Sequence, residues 1–163
     1  VPEIRLHDSR TQTLVALVPR TPGAVGIYAC GPTVYNRIHV GNARPFVVFS
    51  LLKRFFEHER LATTLVINVT DVNDKIYDAA RVRGVPSEEL AAAMTEAYFA
   101  DTDGLGLGRP DHEPLASETI GPIVEHIATL IERGHAYAVD GDVYFRVRHD
   151  HAYGSLSHRA VDD

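Results

Sequence analysis

The chain has 163 residues, 45% hydrophobic and 23% charged, with one cysteine and a formal net charge of −6, which fits one globular domain or part of a larger one. No run of about 18 apolar residues occurs, so no membrane span is expected, and one cysteine leaves no internal disulfide framework. The basic residues are scattered, as at Lys53 and Arg54, Arg81 and Arg83, and Arg146 and Arg148, which argues against a polynucleotide-binding surface here, because phosphate recognition needs a basic patch.

The N-terminal "VPEIRLHDSR" has no apolar signal core, which points to a cytoplasmic protein. The chain starts at Val1 without a methionine and stops after "SLSHRAVDD", so it reads as a fragment. "VGIYAC", Val25 to Cys30, is a short apolar run between Gly23 and Gly31 and predicts a buried strand. Arg44 to Glu57 predicts a helix, its polar residues Ser50, Lys53, Arg54 and Glu57 following i, i+3, i+4 and i+7. Pro45 suits the first turn, where a missing N–H costs little. Phe46, Phe49, Phe55 and Phe56 read as core packing, because so wide an apolar face is not left exposed. "LATTLVINVT", Leu61 to Thr70, is β-branched and predicts a second strand. Strand, helix and strand make a βαβ unit, which implies a parallel sheet with a right-handed crossover.

Further along, Ser87 after Pro86 is placed to cap a helix opening on Glu88 and Glu89. Ile120, Ile123, Val124, Ile127, Leu130 and Ile131 share one face of another helix, and Gly134 stops it. "AYAVDGDVYFRV" then alternates around Asp140 and Gly141, a strong hairpin signal. The fold class expected is α/β, with residues 1–114 as a Rossmann-type parallel sheet with flanking helices. Residues 115–163 read as a helix and β-hairpin that start an insertion.

Gly31 to Asn42 lies between strand and helix, at the carboxyl edge of a parallel sheet, where open α/β sheets bind ligands. Free N–H groups and the helix dipole favour phosphate there, and Gly41 lets backbone approach a ligand closely. His39 and Asn42 add donors suited to charge developing on a phosphoryl oxygen. Neither the dinucleotide fingerprint nor the P-loop consensus is present.

"CGPTVYNRIHVGNAR" resembles the signature of class I aminoacyl-tRNA synthetases, whose HIGH motif corresponds to His39, Val40, Gly41 and Asn42. "YACGPTVY" and "NVTDVNDKI" (Asn68 to Ile76), with "DGDVYFRV" and "YGSLS" further on, are similar more narrowly to cysteinyl-tRNA synthetases. The resemblance implies a Rossmann-type domain that adenylates L-cysteine with ATP and Mg²⁺, then transfers the cysteinyl group to tRNA(Cys). It also implies that Cys30 is a zinc ligand, the metal holding the substrate thiolate. Zinc accepts sulfur readily, and a metal–thiolate bond rejects serine better than an apolar pocket does. By the same resemblance Gly31 and Thr33 line the amino-acid pocket, and His39, Gly41 and Asn42 bind ATP, with His39 and Asn42 catalytic. The second histidine of HIGH is Asn42 here, which still donates a hydrogen bond but is never cationic. The remaining zinc ligands implied (a Cys, a His and a Glu) and the KMSKS loop lie outside these residues, so the chain alone is not expected to complete the reaction.

Plainer readings stand beside these. A lone cysteine at a strand end is often a small buried hydrophobe, and a lone histidine is often structural. "TDVNDK" reads equally as a segment lining the active site or as a helix cap, with Asp71 or Asn73 accepting backbone N–H bonds, and Asp74 has no assigned role. His149 and His151 read as solvated loop residues. Three other functions are compatible: a truncated, non-catalytic nucleotide- or partner-binding paralogue, a cysteine ligase with a small-amine acceptor, and a nucleotidyltransferase of related fold. The acceptor variant is disfavoured because "VYN", Val34 to Asn36, stands where its relatives tend to have "PYD".

Overall fold

The structure, a computed structural model, describes residues 3–162, so Val1, Pro2 and Asp163, and with them the two chain ends, lie outside it. Two compact units are present, one spanning Pro19–Ile120 and the other built from the described residues of Val1–Val18 and Gly121–Asp163.

The larger unit is α/β. Strands β3 (Ala24–Ala29) and β4 (Ala62–Ile67) pair in parallel from Ala24↔Ala62 to Ala29↔Ile67, so the helix between them is a crossover. In sequence they follow a hairpin that belongs to the other unit, β1 (Arg5–Asp8) and β2 (Thr13–Ala16). On the far side of β4, residues 111–116 run alongside it through parallel bridges Val66↔His112 and Val69↔Leu115. The Asp111 carboxylate fixes that register by accepting the Leu65 N–H at 2.6 Å and the Lys53 ammonium at 2.7 Å.

The crossover helix α1 runs Val40–His58 and starts at Val40 rather than Arg44, because His39 and Asn42 cap it there. Pro45 therefore falls inside the helix instead of in its first turn, and the Gly41 carbonyl loses the N–H it would otherwise accept. Ala43, Phe46 and Phe56 are buried, but Leu51 is 65% and Phe55 41% exposed. The apolar face of α1 is thus wider than its cover here, and Phe55 is not the core residue its pattern predicts.

After β4, α2 (Asp74–Arg83) is capped by the Asn73 side chain accepting the Lys75 N–H at 3.0 Å, and it ends on left-handed Gly84. Asp71 does not cap α2; its carboxylate accepts, at 2.9 Å, the N–H of Ser117, the first residue of a short 3-10 turn over Ser117–Thr119. Helix α3 (Ser87–Gly104) has Pro86 at its N-cap with no side-chain cap bond, so Ser87 is already its first helical residue and caps nothing. Glu88 and Glu89 occupy the first turn as expected.

Between sheet and helices, Ala29, Val34, Phe46, Leu65, Ile67, Val69, Ile76, Ala91 and Tyr98 form one core. Phe46 and Tyr98 meet edge-on at 5.3 Å, a geometry that adds to simple burial. A cavity of about 30 Å³ beside them, reached also by Ser50 and Glu113, has room for little more than one water. Burial pushes the Tyr98 hydroxyl up to about 12, with the Glu113 carboxylate adding to the shift.

In the other unit, α4 (Ile120–Glu132) stops at Gly134, whose φ is +74°. Strands β5 (Ala136–Val139) and β6 (Asp142–Phe145) follow as an antiparallel hairpin. Asp140 and Gly141 both have positive φ, +53° and +95°, as the mirror-image turns that match strand twist require. Among the described residues of this unit only Ala136 is a buried hydrophobic. His149 and His151 are exposed. No helix among the described residues is long and apolar enough to cross a membrane.

Candidate functional site

Strand β3 ends at Ala29, and the next residues keep pairing with the chain beyond β4. Thr70 donates its N–H to the Pro32 carbonyl at 2.9 Å, and Val34 donates to the Thr70 carbonyl at 3.1 Å. Asn68 lies between these two strand ends. Its Oδ1 accepts the Gly31 N–H at 3.1 Å and the Tyr28 hydroxyl at 3.2 Å, while its Nδ2 donates to Thr70 Oγ1 at 3.1 Å. Gly31 packs so closely that a Cβ there would sit 1.6 Å from the Asn68 carbonyl oxygen. The effect is to present Cys30, which is exposed, at the carboxyl end of the sheet.

The chain then loops to α1, braced from two helices. The Arg37 guanidinium pairs with Asp101 on α3, and that hydrogen bond holds the guanidinium above its usual, already high, value. Arg83 of α2 donates to Asn36 Oδ1 at 3.2 Å and to the Tyr35 carbonyl at 3.5 Å.

His39 is the N-cap of α1. Its Nδ1 accepts the Gly41 N–H at 3.0 Å, and its own N–H reaches Asn42 Oδ1 at 3.4 Å, a reciprocal capping box. An Nδ1 that accepts leaves the ring proton on Nε2, and Nε2 has no partner among the described residues. The Asn42 N–H turns back to the His39 carbonyl at 2.8 Å. Most first-turn N–H groups are therefore used internally, and the Val40 N–H alone of them has no acceptor among the described residues. The helix start thus offers donors mainly from side chains, His39 Nε2 and Asn42 Nδ2, rather than the row of free amides that its position suggests. Gly41 has a local reason as well: a Cβ there would sit 2.8 Å from His39 Cε1, so only glycine lets the ring fold over the helix start.

Cys30, Gly31, Thr33, His39, Gly41 and Asn42 all line one cavity of about 370 Å³, within the range of small-ligand sites. All six residues to which the resemblance gives a role are brought there, whereas Asp71 and Asn73 of "TDVNDK" do not line it. Asn68, Arg37, Asp101 and Arg83 hold those residues in place; Asn68 and Arg37 lie in stretches that carry the family resemblance but receive no role from it, and Asp101 and Arg83 carry no signal of their own.

Zinc can be weighed against this donor set. Cys30 gives one exposed sulfur at the cavity, and no group of three or more metal-ligating side chains converges anywhere among the described residues. The chain fits as the source of one zinc ligand out of about four, not as a whole site.

Residues 16–163 match the family described as tRNA synthetases class I (C) catalytic domain. A cysteine--tRNA ligase of Geobacillus thermodenitrificans is 44% identical over 160 residues, 98% of this chain and 34% of that protein. One from Clostridioides difficile is 43% identical over the same shares. The chain therefore spans about a third of the length of these curated relatives. Among solved structures, the Agrobacterium radiobacter LeuRS–tRNA–LeuAMS ternary complex matches with a TM-score of 0.60 at 18% identity, over 74% of this chain and 16% of that one. Mycobacterium tuberculosis methionyl-tRNA synthetase with methionyl-adenylate matches with a TM-score of 0.53 at 16% identity, over 74% and 28%. At that identity the likeness is one of fold.

Proposed function

The chain belongs to the family of class I (C) tRNA synthetase catalytic domains, and from that membership we propose that its protein joins L-cysteine to tRNA(Cys) by way of cysteinyl-adenylate. The observation that carries this reading is the convergence of Cys30, Gly31, Thr33, His39, Gly41 and Asn42 on one cavity, in a chain whose curated relatives are cysteine--tRNA ligases.

On this reading Cys30, Gly31 and Thr33 receive cysteine, and His39, Gly41 and Asn42 receive ATP. A carboxylate oxygen of cysteine attacks the α-phosphorus, the bond to the β-phosphate breaks, and pyrophosphate leaves. His39 and Asn42 are the catalytic residues, donating from Nε2 and Nδ2 to phosphoryl oxygens as charge builds. Cysteine and ATP held side by side make the step effectively unimolecular, and no protein nucleophile takes part. Mg²⁺ accompanies ATP and offsets its charge. Zinc, held by Cys30 and ligands from elsewhere in the protein, supplies a soft contact for the substrate sulfur. Exposure of Cys30 at the cavity suits that role and ill suits a core cysteine.

The acidic balance of the chain, net −6, assigns most tRNA contact to other parts of the protein. Residues 1–114 act as the first half of the catalytic domain and 115–163 lead into an insertion. The protein works in the cytoplasm. Cysteine-dependent exchange of pyrophosphate into ATP by the full-length protein tests the proposal. A folded protein with no such exchange would sink it.

A further inference from the structure

One more side chain reaches the same cavity from α2: Lys75, in that helix's first turn. Two basic side chains other than His39 line the cavity, Arg37 and Lys75, and their situations differ. Arg37 is already paired with the Asp101 carboxylate. Lys75 has no ion-pair partner among the described residues. Nor does its helix explain it, since a cation in the first turn faces the positive end of the dipole.

The ammonium is nevertheless placed. Lys75 Nζ lies 5.8 Å from the centroid of the Tyr35 ring, near the limit of cation–π attraction. Tyr35 belongs to the loop that Arg83, at the other end of α2, grips through the Tyr35 carbonyl and Asn36. Both ends of α2 thus hold one loop, and the flexible lysine stem rests over an aromatic face at the mouth of the cavity. Less freedom is then lost when the ammonium meets a ligand.

Resting on the synthetase reading, we propose that Lys75 is an anion-binding residue of the adenylation step, its ammonium contacting an anionic oxygen of the substrates. The chemistry calls for such a charge. A carboxylate and a polyphosphate repel as they approach, more strongly in a cavity than in water. His39 and Asn42 offer dipoles, and Arg37 is already neutralised. Lys75 is the cation left to oppose that repulsion among the described residues of the cavity.

The test uses the full-length protein with Lys75→Met and Lys75→Arg. Cysteine-dependent pyrophosphate exchange is followed with separate titrations of ATP and cysteine, and ATP binding is measured by calorimetry. Lys75→Met is expected to lower kcat/KM about a hundredfold without moving the thermal midpoint, because the side chain is exposed. Lys75→Arg is expected to recover part of the loss by restoring the charge. A raised KM for ATP with weakened ATP binding assigns the contact to phosphate, and a raised KM for cysteine alone assigns it to the carboxylate. Lys75→Met within about threefold of wild type in both titrations overturns the proposal. Absence of exchange in the wild type overturns the underlying reading instead, so the two failures are told apart by different proteins.

Discussion

Gly31 and Asn68 are locked together at the carboxyl ends of β3 and β4. The Gly31 N–H donates to Asn68 Oδ1 at 3.1 Å, and a Cβ on Gly31 would lie 1.6 Å from the Asn68 carbonyl oxygen. That lock sets where Cys30 stands, since Cys30 is joined to Gly31 and makes no strand pairing of its own. Gly31→Ala cannot be absorbed by a rotamer change because the clash is with backbone. It is expected to cost about 1–3 kcal/mol or more and to abolish pyrophosphate exchange, read from the thermal midpoint and the exchange rate. Asn68→Ala leaves the Gly31 N–H without its acceptor at about 1–2 kcal/mol, and raises KM for cysteine more than KM for ATP.

Gly41→Ala separates activity from stability. The added Cβ would lie 2.8 Å from His39 Cε1, so it pushes the ring away and breaks the Nδ1 bond. Losing that cap costs about 1 kcal/mol, while replacing a helical glycine by alanine returns about the same. The expected result is a near-constant thermal midpoint with exchange reduced about tenfold or more. A variant of unchanged rate would show that the ring's position does not matter.

Much of this arrangement is legible in sequence because it is local. The β3–α1–β4 run, the existence of helix α4 and the Asp140–Gly141 turn all follow from periodicity and turn residues within a short window, although the apolar face of α4 buries no residue. The β1–β2 hairpin is not legible, because its turn carries Gln12 at φ +56° in place of the glycine or asparagine that marks β5–β6-type turns. The start of α1 was misjudged because Pro45 looked like a first-turn residue, whereas the His39 and Asn42 side chains fix the helix start ahead of it. The braces of the site join residues far apart, such as Arg37 and Asp101, 64 positions apart. Local pattern carries no information about such pairs. The chemistry-bearing residues were legible for the opposite reason, since a loop between strand and helix concentrates them in one stretch.

Cys30→Ser tests the metal assignment with little risk to the fold. Cys30 is exposed, so metal-free wild type and variant are expected to unfold within about 1 kcal/mol of each other. Zinc content, measured by elemental analysis of the full-length proteins, is expected to fall in the variant, together with cysteine-dependent exchange. Removing zinc from the wild type with a chelator is expected to reproduce the loss, and zinc added back to reverse it. A variant that keeps stoichiometric zinc would remove Cys30 from the ligand set.

Asp111 ties acid sensitivity to the sheet. The Leu65 N–H that it accepts, and next the Lys53 ammonium, hold its carboxyl below the ordinary value of 3.8, with burial opposing them. A carboxyl lowered on folding stabilises the chain fully above its unfolded value and loses that contribution as pH falls through the folded one. Glu113 works the other way. Burial raises its carboxyl above 4.5 despite the nearby Arg109, so its contribution is present in acid and lost as pH rises. The acid limb of the wild type therefore mixes the two, and the difference between wild type and Asp111→Asn isolates one. The asparagine keeps an oxygen for the Leu65 N–H but leaves Lys53 only its longer contact with Glu57 at 3.8 Å, so the variant should fold with a midpoint lower by about 2–4 °C near neutrality. That gap is expected to stay level well above the ordinary value of 3.8 and to close as pH falls through the lowered folded value. A gap that persists unchanged into acid would mean that the charge on Asp111 contributes nothing, and that its hydrogen-bond geometry alone holds residues 111–116 against β4.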